Sequence, residues 1–165
     1  MARITLQGKE TNTNGELPKV GDEAPNFTLV DAKLGDISLL SYQDKKKLLN
    51  IVPSLDTQVC AISTKKFNDI AEEKSDTVFL MISADLPFAM SRFCDTESVD
   101  NVTTLSMMRS TKFARDYGVL IEDGPLAGLT ARAVVVIYEN NKVIHSELVT
   151  EIANEPNYDA ALAAI

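Results

Sequence analysis

Apolar positions along this chain fall into short blocks divided by polar turns, and the blocks follow two different periods. "KLLNIV", residues 47–52, is an apolar run ended by Pro53, the form of a strand buried on both faces. "TVFLMIS", residues 77–83, reads as a second such strand. Between them, residues 57–74 change to helical spacing: Val59, Ile62, Phe67, Ile70 and Ala71 fall near one face, and Asp56 or Thr57 suits the cap. Residues 85–94 predict a helix with Asp85 as its cap and Pro87 in its first turn. A further helix spans residues 110–118 and closes at Gly118. Residues 131–149 predict two strands around Asn140-Asn141, and residues 156–165 a last helix. Upstream, residues 4–25 alternate loosely around "NTNG", a hairpin turn signal, and "NFTLVD" and "DISLLSY" supply short strand or loop pieces.

Strands alternating with helices and followed by an antiparallel hairpin predict an α/β fold with a mixed central sheet. The hairpin of residues 131–149 is expected on its antiparallel side. At 165 residues the chain is expected to form a single domain, residues 1–165, large enough for a core without staples. A formal charge of −8 and an isoelectric point near 4.6 argue against nucleic-acid or anionic-membrane binding, which need a basic surface. The first ten residues lack a charged start followed by an apolar run, and no apolar stretch reaches membrane-spanning length. Two cysteines are too few for a disulfide framework. Together these features predict a cytoplasmic protein, in which any disulfide is transient and catalytic.

That expectation directs attention to "PSLDTQVC", residues 53–60. Cys60 falls in the first turn of a helix, just beyond a buried strand. Free N–H groups and the helix dipole favour an anion there, and cysteines in such places ionise more readily than free thiols. By helical angle Cys60 lies at the border of the apolar stripe, which predicts partial exposure. A cysteine is also a small hydrophobe that packs well in a core, and geometry alone leaves both readings open.

Pro53, Thr57 and Cys60 match the pattern Pro-x-x-x-Thr-x-x-Cys. With "VPSLDTQVCAISTKKFN", "SADLPFAMSRFC", "ARDYGVLIEDGPLAGLTARAVVVI" and "EPNYDAALAAI", the chain resembles the bacterial thiol peroxidases, atypical two-cysteine peroxiredoxins, over nearly its whole length. The resemblance implies a thioredoxin-like fold of peroxiredoxin type, with flanking helices and an N-terminal β-hairpin. It implies reduction of hydrogen peroxide and of alkyl or lipid hydroperoxides, with no cofactor and no metal. Cys60 would be the peroxidatic cysteine, oxidised to sulfenic acid. Thr57 would hydrogen-bond the thiolate and the peroxide, Pro53 would shield the sulfur from water, and Arg132 would be the active-site arginine. Cys94 would resolve the sulfenic acid as an intramolecular Cys60–Cys94 disulfide, which thioredoxin would reduce. A disulfide needs Cα atoms within about 7 Å, so cysteines on two helices predict local unfolding during turnover. The resemblance further implies a homodimer. The chain departs from the family pattern at "CDTES", where "CGAEG" is common, and at Gln58, where glycine is common; glycine eases rearrangement, so both bear on the speed of disulfide formation. Asp95 and Glu97 are expected to raise the Cys94 pKa. Phe88, Met90 and Phe93 are candidates for apolar surface near Cys94, and Arg92 is a second cation there.

Other classes fit less well. A thiol-disulfide oxidoreductase carries Cys-x-x-Cys, and Thr57 stands in the place of its first cysteine. One histidine, His145, and two distant cysteines make no metal cluster, and "EDGPLAG" lacks phosphate-loop spacing. A peroxide sensor or redox relay, which would pass oxidation from Cys60 to a protein partner, uses the same residues.

Overall fold

The computed structural model describes the whole chain, Met1–Ile165. Its elements are β1 (Arg3–Leu6), β2 (Lys9–Asn12), β3 (Thr28–Val30), β4 (Asp36–Ser38), a 3-10 turn (Leu39–Tyr42), β5 (Lys46–Ile51), α1 (Gln58–Glu72), β6 (Thr77–Ser83), α2 (Pro87–Glu97), β7 (Val102–Ser106), α3 (Lys112–Asp116), β8 (Ala133–Ile137), β9 (Val143–Leu148) and α4 (Tyr158–Ala163). β1 and β2 form a separate hairpin. The other strands make one seven-stranded sheet in the order β4-β3-β7-β6-β5-β8-β9.

β5, β6 and β7 run parallel, and β8 and β9 join them antiparallel, as the hairpin pattern predicts. β3 and β4 add a second antiparallel edge beyond β7. Both faces of the central strands are covered. Leu49, Ile51, Leu80 and Ile82 pack on one side with Phe27, Phe113 and Tyr117. Leu48, Phe79, Met81 and Val134 pack on the other with Phe67 of α1, Met90 of α2 and Ala161 of α4. Burial on both sides is why these strands read as apolar runs and not as alternating ones.

Three expectations change. The first hairpin turns at Gln7-Gly8, where both residues have positive φ, as a two-residue turn between twisted strands requires. The "NTNG" segment instead runs beside residues 120–122: Thr13 bridges Ile121, and the Asn14 N–H donates to the Leu120 carbonyl at 2.9 Å. β7 is an element the sequence pattern does not reveal. "VTTLS" carries two threonines and a serine, yet Thr104, Leu105 and Ser106 are buried beside β6. Finally, α2 is capped by Leu86, not by Asp85, whose carboxylate turns back toward the loop after β5.

Gly118 ends α3 with φ +69°, and a Cβ there would stand 2.2 Å from the Glu16 carbonyl oxygen. Gly118→Ala is therefore expected to cost about 3 kcal/mol or more, read as a lowered urea midpoint with an unchanged m-value.

Candidate active site

Cys60 is the third residue of α1, behind Thr57 at the N-cap. It is completely buried, not partly exposed as its angle on the predicted stripe suggests. The buried face of α1 is Cys60, Ser63, Thr64, Phe67 and Asn68, while Ile62 is 38% exposed. Local hydrogen bonding explains the rotation. The Ser63 and Thr64 hydroxyls both donate to the Cys60 carbonyl, at 3.0 and 2.9 Å, so they enter the interior already partnered.

Arg132, one residue before β8, reaches the same spot from the sheet and is 1% exposed. Its Nη2 donates to Cys60 Sγ at 3.3 Å, and its Nε donates to the Ile152 carbonyl at 2.9 Å. Nη1 is buried with no partner in the protein. A guanidinium carries five donors and no acceptor, so this group holds unused donor capacity at the sulfur. Its fixed charge favours an anion in that position.

A cleft of about 220 Å³ leads to this pair. Pro53, Thr57, Val59 and Arg132 line it, with Leu6, Leu126 and Ile152 as an apolar wall. Pro53 is buried, and Thr57 is exposed. The Thr57 hydroxyl donates to the Ser54 carbonyl at 2.8 Å and accepts nothing from the helix, so Thr57 caps α1 by position only. Pro53, Thr57, Cys60 and Arg132 thus converge, although 72 positions separate the last two.

Cys94 lies on α2, half-buried, and its thiol is free, as is that of Cys60. It packs against the apolar cluster that contains Cys60 but opens into a separate groove with Asp31, Ser91, Asp95 and Thr103. Burial pushes the Cys94 thiol above its usual value, and Asp95 and Asp100 push it further. Glu97, expected to share that role, is drawn off by Lys65 at 3.0 Å. The helix ends at Ser98 with φ +55°, a left-handed position that favours glycine. Met90 belongs to the core, and Phe88, 64% exposed, points away from it; neither lines the cleft over Cys60.

Several contributors escape sequence reasoning. Asp85 accepts the Ser54 and Ser83 hydroxyls at 2.7 and 2.6 Å and the Leu55 N–H at 2.7 Å, joining the loop before Cys60 to the start of the Cys94 helix. Glu151 accepts the N–H groups of Gly8 and Ala153, each at 2.9 Å, and the Thr5 hydroxyl at 3.1 Å. These bonds, led by that from Ala153, hold its carboxyl below the usual range and fasten the first hairpin to the segment of Ile152. The Asp85 signal was present in sequence but is the same as that of a helix cap. The Glu151 contacts to Thr5 and Gly8 span more than 140 positions and have no local signature.

Asp85→Ala is expected to cost about 2–3 kcal/mol, since it strands a backbone N–H and two hydroxyls. The loosened loop should also slow the reaction of Cys60 with peroxide severalfold. Denaturant melts and stopped-flow peroxide kinetics check the two effects.

Comparison with known proteins bears on the family and the fold. The Redoxin family model matches residues 19–162. The chain is 52% identical to a thiol peroxidase of Corynebacterium glutamicum, with 100% of this chain and 99% of that one aligned. A peroxiredoxin-like protein from Aquifex aeolicus superposes with a TM-score of 0.93 at 39% identity, covering 99% of this chain and 95% of that one. A thiol peroxidase from Chromobacterium violaceum gives a TM-score of 0.91 at 25% identity, covering 98% and 93%. A cysteine buried against an arginine at the start of α1, on a sheet of this topology, is thus set in a chain that belongs to the Redoxin family, in its thiol peroxidase branch.

Proposed function

We propose that the protein reduces hydrogen peroxide and organic hydroperoxides through a two-cysteine cycle. The observation that carries this reading is the 3.3 Å contact between Arg132 Nη2 and Cys60 Sγ, with Nη1 unpartnered on the same buried guanidinium. The Cys60 thiolate attacks the terminal peroxide oxygen. The O–O bond breaks, Cys60 becomes a sulfenic acid, and water or alcohol leaves after taking up a proton. Arg132 follows the charge as it passes from sulfur to the leaving oxygen, and Nη1 supplies a donor that the resting site does not use. Thr57 offers its hydroxyl oxygen at the cleft, and Pro53 keeps water off the sulfur. The apolar wall of Leu6, Leu126 and Ile152 supports acceptance of alkyl and lipid hydroperoxides.

Cys94 then attacks the Cys60 sulfur and displaces hydroxide, forming the disulfide that a thioredoxin-type dithiol reduces. The separate openings of the two cysteines support a local rearrangement for this step. The protein acts in the cytoplasm, and no helix is long and apolar enough to cross a membrane. Exposed Leu86 and Phe88 at the start of α2 support a homodimer.

Intact mass and a free-thiol count after one equivalent of cumene hydroperoxide test the cycle. Loss of two hydrogens and of both thiols is expected. Gain of one oxygen with one thiol remaining would remove Cys94 from the cycle and favour a relay to a protein partner; an unchanged mass would sink the peroxidase reading. The resolving step should also depend on pH. With the Cys94 thiol raised, its thiolate fraction, and so the single-turnover rate of disulfide formation, should still climb at pH values above the ordinary thiol value of about 8.5. A rate that levels off near pH 7 would contradict Cys94 as the attacking group.

A further inference from the structure

The peroxide reaction does not use the polar group packed behind Cys60. Asn50 stands in the middle of β5, between Met81 of β6 and Val134 of β8, on the face that α1 covers. It is 2% exposed, and its Oδ1 is buried with no donor. Its Nδ2 makes one long bond, 3.4 Å, to the Ser63 hydroxyl oxygen. That hydroxyl gives its proton to the Cys60 carbonyl, which also receives Thr64 Oγ1 and, as part of the helix, a backbone N–H. One carbonyl is crowded with donors while a buried amide oxygen beside it has none. Such an arrangement is unusual, because buried acceptors are nearly always satisfied.

We propose that Asn50 and Ser63 form a hydrogen-bond switch that favours unwinding of the first turn of α1, which makes Asn50 a positioning residue for disulfide formation. The inference rests on the two-cysteine reading above. In the closed site Ser63 serves Cys60, and Asn50 Oδ1 goes without. When the first turn unwinds to carry Cys60 toward Cys94, the Cys60 carbonyl departs. The freed Ser63 hydroxyl rotates to Asn50 Oδ1, and two polar groups are satisfied by one new bond. The open state therefore holds an interaction that the closed state lacks, which offsets part of the cost of unwinding. Gln58 stands where glycine would ease the same motion, so a compensating device has a use here.

Asn50→Val removes the acceptor and suits a buried strand. The reduced variant is mixed with cumene hydroperoxide, and sulfenic acid formation and disulfide formation are timed separately. Sulfenic acid formation should keep its wild-type rate constant, which also reports an intact closed site. Disulfide formation should slow about fivefold, the worth of roughly one hydrogen bond. The sulfinic acid formed at high peroxide should rise in step, because the sulfenic acid survives longer. In a Ser63→Ala background the same Asn50→Val change should have no further effect on the disulfide rate. A wild-type disulfide rate in Asn50→Val overturns the switch, as does equal slowing in the Ser63→Ala background. A wild-type protein that forms no Cys60–Cys94 disulfide overturns the two-cysteine reading, and the switch with it.

Discussion

At 1% exposure the Arg132 guanidinium has given up nearly all of its hydration. A buried guanidinium needs acceptors, and the structure provides only two. The Ile152 carbonyl takes Nε, and the Cys60 sulfur takes Nη2. No carboxylate lies within ion-pair distance. Glu155, the nearby candidate, is occupied by the Tyr158 hydroxyl at 2.8 Å and by Lys66 at 3.1 Å. The positive charge is thus left for the sulfur and for whatever binds beside it. A carboxylate partner would have stabilised the arginine and weakened its hold on both.

The rest of the site follows from keeping that guanidinium in place. Ile152 is held because the first hairpin pairs with it: the Ile152 N–H donates to Thr5 O at 2.9 Å, and Glu151 grips the hairpin turn. Asp85 holds the loop that leads into Cys60. Sulfur and charge therefore meet through parts of the chain far apart in sequence, each fixed by hydrogen bonds to backbone. Such bonds are strong where a carboxylate accepts them, and they tolerate little displacement.

Tight holding conflicts with the second half of the proposed cycle, in which Cys60 would leave Arg132 and meet Cys94. The interior of α1 reflects that conflict. Its buried face near Cys60 carries Ser63 and Thr64 where hydrocarbon would have packed more firmly. Farther along, Phe67 packs on Phe79 and Tyr158, and Lys66 pairs with Glu155, so the later turns are anchored. Side-chain anchoring is thus denser in the later turns of the helix than in the first, where the proposed cycle calls for movement.

Local pattern along the chain set those parts of the molecule that depend on sequence neighbours. The apolar runs of β5, β6 and β8, the helix after Pro53, the place of Cys60 in its first turn and the hairpin of residues 131–149 are all local patterns of period and turn chemistry. The motif around Cys60 was legible for the same reason, and with it the family. Pairing and burial were settled by contacts distant in sequence. β7 hid behind threonines whose burial depends on strands on either side. The first hairpin turned at Gln7-Gly8 because "NTNG" was taken by residues 120–122. Cys60 was buried because hydroxyls one turn later found acceptors inside the helix. Periodicity counts a hydroxyl or an amide as polar wherever it stands. Whether it can be buried depends on a partner, and for Arg132, Glu151 and Asn50 that partner is supplied, or withheld, by the fold.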